Sequence, residues 1–120
     1  MLLYLDTYAL IEIHDGNNNY IDLLNNEIVL TEITLSEFYG VLYRRLGEKT
    51  AEHWVAKFSP FAVQTTRDIL LKASKYKEDH RKENISFFDS VGYVYAQEHG
   101  MRFVTGDNAF KGKQGVLFVK

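Results

Sequence analysis

Apolar and polar positions change period several times along the chain, and the changes mark its elements. Leu2-Leu3-Tyr4-Leu5 is apolar without alternation, the pattern of a strand buried on both faces of a parallel sheet. Asp6-Thr7 ends it and predicts a helix from Tyr8 to about Ile13, followed by a turn across Asp15-Gly16-Asn17-Asn18-Asn19. A short helix over Tyr20 to Leu24 leads to a second strand, Glu27 to Thr31. From Thr34 to about Leu46, Leu35, Phe38, Tyr39, Leu42 and Leu46 recur at helical spacing; Glu37, Gly40, Val41 and Arg44 share the opposite face, and Gly47 stands where a C-terminal cap belongs. Glu48 to Phe58 is a further predicted helix, stopped by Ser59-Pro60.

The second half repeats the alternation. Phe61 to Gln64 reads as a third strand and Thr66 to about Asn84 as the longest helix, its charged end from Lys77 to Glu83 a solvated face. Ser86 starts a helix that carries Asp89 and is ended by Gly100. Met101 to Thr105 is the fourth strand and Val116 to Val119 the fifth. No repeat, linker or low-complexity segment intervenes. The order predicts one domain over residues 1–120, an α/β fold built as a three-layer α/β/α sandwich on a mainly parallel five-stranded sheet with right-handed crossovers.

Composition narrows the chemistry. The chain is 46% hydrophobic and 25% charged, within the range of globular proteins. It has no cysteine, which excludes a disulfide scaffold, a thiolate zinc site and a cysteine nucleophile. Asp6 interrupts the apolar N-terminal run, so neither a signal peptide nor a membrane span is expected, and a cytoplasmic location is. The net charge of -2 argues against binding nucleic acid through bulk electrostatics alone. With four acids set aside as a metal site, that charge becomes +2, which leaves room for local basic patches.

Those four acids are Asp6, Glu37, Asp89 and Asp107. Each has a capping explanation: Thr34-Leu35-Ser36-Glu37 and Ser86-Phe87-Phe88-Asp89 fit the capping box, and Asp6 and Asp107 fit simple N-caps. Position favours a site. Asp6 and Asp107 directly follow strands expected to lie side by side at the centre of the sheet, where open parallel sheets bind ligands. Glu37 occupies the first turn of a helix rising from that edge, whereas topology alone places the start of the Asp89 helix, which precedes its strand, at the opposite edge. Carboxylates that meet must take up protons or a cation, and hard oxygen ligands without His or Cys select Mg2+ or Mn2+. Phosphodiester hydrolysis is the chemistry such an ion serves. His14, His53, His80 and His99 have no ligand spacing, Gly106, Gly112 and Gly115 read as turns, and Trp54 as packing.

Leu5-Asp6-Thr7-Tyr8-Ala9-Leu10-Ile11, Ser36-Glu37, Asp89-Ser90-Val91-Gly92-Tyr93 through Ala96, and Val104-Thr105-Gly106-Asp107 to Phe110 resemble, in order and spacing, the four motifs of PIN-domain ribonucleases, most nearly the VapC-type toxins of prokaryotic toxin–antitoxin pairs. The resemblance implies a metal-dependent endoribonuclease that leaves 5'-phosphate ends. Asp6, Glu37, Asp89 and Asp107 then match the metal-binding acids, Thr7 and Thr105 the hydroxyls that buttress the site, with Asn108 as a supporting polar group. It further implies an RNA substrate, a cognate antitoxin and a homodimer. Arg44, Lys111 and Lys113 are the candidates for contacts to RNA phosphates. Two departures stand out: Asn108-Ala109 supplies no further acid after Asp107, and Tyr8 stands where a small polar residue is common. The alternative is a catalytically inactive PIN-like module that binds RNA or protein.

Overall fold

In the computed structural model, which describes residues 1–120, five strands form one parallel sheet in the order β3-β2-β1-β4-β5. The strands are β1 (Leu2–Leu5), β2 (Glu27–Thr31), β3 (Ala62–Val63), β4 (Arg102–Thr105) and β5 (Val116–Phe118). Six helices connect them: α1 (Thr7–His14), α2 (Asn18–Ile21), α3 (Glu32–Leu46), α4 (Glu48–Phe58), α5 (Arg67–Asp79) and α6 (Phe87–Glu98). Strand order runs outward from β1 to β3 and then returns to β4, so right-handed crossovers place α1 to α4 on one face and α5 and α6 on the other. The packing of α1 on α3, α3 on α4 and α5 on α6 agrees. The expected three-layer α/β fold is the observed one. No helix is long and apolar enough to cross a membrane.

The centre of the sheet is apolar on both sides. Leu3, Tyr4 and Leu5 of β1 and Phe103 and Val104 of β4 are fully buried, as the uninterrupted apolar run requires of a strand covered on both faces. Burying such side chains contributes about 1.5–3 kcal/mol each, which makes this pair of strands the rigid frame of the molecule.

Several boundaries depart from the sequence reading. The predicted helix over Tyr20 to Leu24 starts earlier, because Asn17 caps α2 by accepting from the Asn19 amide at 3.0 Å, and it closes as a 3-10 turn over Asp22–Asn25. The helix expected to run to Asn84 ends at Asp79. His80 bonds the Tyr76 carbonyl at 2.9 Å, and Asn84, at φ +60°, reverses the chain towards Ser86. The third strand contracts to Ala62–Val63. The shift that bears on the site concerns α3, which starts at Glu32 rather than Thr34. Thr31 ends β2 and also caps the helix, accepting from the Thr34 amide at 3.3 Å. The buried Tyr4 hydroxyl lies 2.9 Å from the Thr31 hydroxyl and 2.7 Å from that of Thr34, and it accepts from the Thr31 amide at 3.1 Å. This network pins the first turn of α3 to β1.

Candidate active site

The cleft beside the carboxyl ends of β1 and β4 is lined by Asp6, Thr7, Tyr8, Ile11, Glu12, Glu37, Asp89 and Asp107. All four acids selected from the sequence therefore share one wall space. The cleft encloses about 290 Å³, the volume of roughly ten waters at about 30 Å³ each, enough for a hydrated ion and one phosphate group.

Asp6 is the innermost of them, 2% exposed. Oδ1 accepts from the Ala9 amide at 2.8 Å and caps α1, while Oδ2 is buried without any hydrogen-bond partner. The capping and site readings thus hold together, one oxygen for each. Burial pushes the Asp6 carboxyl well above its ordinary pKa, and the charge of Asp89 pushes it further; the hydroxyl of Thr105 and the amide of Ala9 pull the other way, and Asp107 adds a smaller upward effect. The Thr105 hydroxyl accepts from the Asp107 amide at 3.0 Å and makes no hydrogen bond to Asp6 Oδ2. Asp107 divides its role similarly, its Oδ1 accepting from Ala109 at 3.0 Å at the start of the 3-10 turn Asn108–Phe110.

Glu37 and Asp89 each correct an expectation. Because α3 begins at Glu32 with Thr31 as its cap, Glu37 is its sixth residue and makes no capping box; Oε1 instead accepts from the Thr7 hydroxyl, which turns the carboxylate towards the cleft. Asp89 stands at the same sheet edge as the others, not the opposite one. A helix that runs antiparallel to the strand after it must begin at the strand's carboxyl end, and α6 does so before β4. Ser86 caps α6 by accepting from the Asp89 amide at 3.1 Å, but no bond returns from the carboxylate to the Ser86 backbone. Burial first, then the charges of Glu37 and Asp107, raise the Asp89 pKa to about 7.

Gly92 explains how α6 comes close enough. A Cβ there would lie 2.7 Å from Cε1 of Tyr4 and 3.0 Å from Cε1 of Phe103. Gly92 is one turn beyond Asp89 on the same helical face, so the contact that only glycine permits also brings Asp89 to Asp6. Gly106 has a matching role: a Cβ would strike the Tyr8 ring and come within 2.7 Å of the Val119 carbonyl. Tyr8 is thereby braced as the aromatic wall of the cleft.

Glu12 is the cleft residue that sequence reasoning missed. Its Oε2 accepts from Asn17 Nδ2 at 3.1 Å, leaving Oε1 free at the rim. Its spacing of four from Tyr8 puts the two on one face of α1, but nothing in the sequence marks that face as the one turned to the cleft. Asn108 is exposed and lies outside the lining, as do Arg44, Lys111 and Lys113. Lys113 is held by Glu83 at 2.6 Å.

The donor set fits a hard divalent cation: carboxylate oxygens only, one of them buried with no partner, and mutual repulsion that a cation would relieve. As they stand, no three acidic or His side chains are drawn to within reach of a common ion.

The sequence profile of the PIN domain matches residues 3–115. Among solved structures, the chain is similar to Mycobacterium tuberculosis VapC20, described as a Sarcin-Ricin loop cleaving toxin, at 19% identity over 98% of both chains with a TM-score of 0.81. Similar too is the DNA-bound VapBC of Salmonella typhimurium, at 16% identity over 99% of this chain and 98% of that one, TM-score 0.76. VapBC2 of Rickettsia felis, bound to a promoter DNA fragment, gives 15% identity over 99% and 98%, with a TM-score of 0.75. At such identities the likeness is one of fold. No curated protein sequence matches the chain.

Proposed function

This chain belongs to the PIN domain family, and from that premise we propose that it is a Mg2+- or Mn2+-dependent endoribonuclease, the toxin of a toxin–antitoxin pair, with residues 1–120 forming one such domain. The observation that carries the reading is the buried, unpartnered Oδ2 of Asp6, a residue of the cleft that Glu37, Asp89 and Asp107 also line. These four side chains would hold the cation. When bound, such an ion supplies a water of lowered pKa and a Lewis acid for the phosphate oxygen.

The protein's own groups set the geometry. Asp6 is fixed by the Ala9 amide at the end of β1, and Asp107 by the Ala109 amide. Thr7 holds Glu37 through its hydroxyl. Their outward oxygens accept hydrogen bonds from the attacking water and orient it in line with the phosphorus. No Ser, Cys or His stands in the cleft and the Thr7 hydroxyl is bonded to Glu37, which supports water as the nucleophile, and the resemblance to the family implies a 5'-phosphate product. The solved VapBC complexes of similar fold support an antitoxin partner, and the exposed Tyr43, Leu46, Leu71 and Phe88 suit a homodimer.

One observation favours an inactive binding module: the carboxylates stand open around the cleft and are not closed on a single point. Cleavage of single-stranded RNA in Mg2+ or Mn2+ by wild type and by Asp6→Asn protein separates the two. Activity that needs the ion and falls by about 10³-fold or more in the variant is expected. Equal cleavage by a purified Asp6→Asn protein removes the nuclease reading.

A further inference from the structure

A polyanion approaching the cleft meets Asp6, Glu12, Glu37, Asp89 and Asp107 and no cationic side chain among the lining residues. An RNA substrate therefore requires cations immediately beside the acids. Two stand beside the aromatic wall. Lys120 Nζ stands 5.3 Å from the centre of the Tyr8 ring, the aromatic wall of the cleft, and 5.5 Å from that of Phe118. Lys111 Nζ lies 5.6 Å from the same Phe118 ring. Both lysines are exposed and neither has an acidic partner, whereas Lys72, Lys75 and Lys113 are each held by carboxylates.

The position of Lys120 is built in. Its carbonyl accepts from Asn17 Nδ2 at 3.3 Å and from Asn19 Nδ2 at 3.4 Å, and Asn17 also holds Glu12 of the cleft. The preceding Val119 donates to the Thr105 carbonyl at 3.0 Å and accepts from the Tyr20 hydroxyl. The segment that presents the ammonium is thus tied to the end of β4, beside Asp6 and Asp107.

Resting on the ribonuclease reading, we propose that the substrate strand runs from the acidic cleft across Tyr8 and Phe118, with Lys120 and Lys111 holding the phosphates next to the one that is cut. Alternating ammonium groups and aromatic rings are a surface for single-stranded RNA, whose phosphates meet the cations while unpaired bases find ring faces. Of the three basic residues singled out from the sequence, the structure assigns this role to Lys111, and it adds Lys120.

The test uses the full chain carrying Asp6→Asn, which retains the surface but should not cut, and a labelled single-stranded RNA oligonucleotide of mixed sequence. Affinity is measured across a salt series for this protein, for the same protein with Lys111→Gln and Lys120→Gln, and for a control with Lys49→Gln and Lys57→Gln on α4, which contributes no residue to the cleft. Each phosphate contact to single strands contributes about 0.7 to the slope of log K against log salt. The paired lysine variant is expected to bind about tenfold or more weakly at moderate salt and to lose about 1.4 of slope, with the control unchanged. If wild type cuts RNA and the slope is the same with and without the two lysines, or if the control loses as much, the proposed path is wrong and the ribonuclease reading stands. If wild type does not cut and the Asp6→Asn protein binds no RNA at any salt, both are overturned.

Discussion

Asp6 concentrates the site's physics in one side chain. Burying a carboxyl group with an unpartnered oxygen costs on the order of 1–3 kcal/mol or more, and burial, then the charge of Asp89, raise its pKa well above the ordinary carboxylate value. Asp89 titrates near 7 for the same reasons, so the folded state binds its proton more tightly than the unfolded chain does. The sign follows: the contribution to stability is complete below about pH 4, the unfolded value, and is lost as pH rises through about 7. The metal-free protein should therefore melt lower at pH 8 than at pH 5, and Asp89→Asn should remove part of that difference, up to about 2.7 kcal/mol for the two pH units between 5 and 7. Thermal melts of the two proteins in chelator check it; a wild-type melting point that rises over the same window would contradict it. Glu12→Gln should weaken Mn2+ binding by a smaller factor than Asp6→Asn, about threefold against tenfold or more, because Glu12 stands at the rim with one oxygen already bonded to Asn17. The four inner acids were legible in the sequence as acids following strands or starting helices. Glu12 was not, because only the rotation of α1 about its axis decides which of its polar residues faces the cleft.

Whole elements carry these side chains into place, and two contacts do most of it. Tyr4 ties β1 to the start of α3 through Thr31 and Thr34. Tyr4→Phe should cost about 1–2 kcal/mol in stability, by leaving buried hydroxyls short of a partner. Denaturant unfolding measures it, and a neutral result would mean the network is not what sets α3. Gly92 lets α6 settle on Tyr4 and Phe103. Gly92→Ala should destabilise by about 1–3 kcal/mol through overpacking and reduce cleavage about tenfold or more, since α6 must retreat with Asp89. Loss of stability without loss of activity would show that Asp89 does not depend on that approach. Most elements were legible from hydrophobic period, and β2 and α4 have their predicted bounds. The start of α3 was not, because a threonine that ends a strand and caps a helix carries the signal of both. The site of the Asp89 helix was misjudged from connectivity, although the antiparallel run of helix and strand settles it.

Across the molecule, the sheet order reverses between β1 and β4, and the cleft lies at that reversal with chain segments from both ends of the sequence around it. Asp6 and Asp107 are brought together by the pairing of Leu5 with Val104, and Lys120 joins them only through the tertiary ties of Val119 and Asn17. Parallel architecture was readable from the alternation of strands and helices; the basic side of the cleft was not, because nothing local relates Lys120 to Tyr8. The arrangement requires that folding and cation binding be linked. Calorimetric titration of Mn2+ at pH 7.5 into wild type, Asp6→Asn and Asp89→Asn protein is the most direct measurement. Saturable binding by wild type, weakened about tenfold or more in each variant, is expected. No binding by wild type, or binding that both substitutions leave unchanged, would contradict a cation held by these carboxylates.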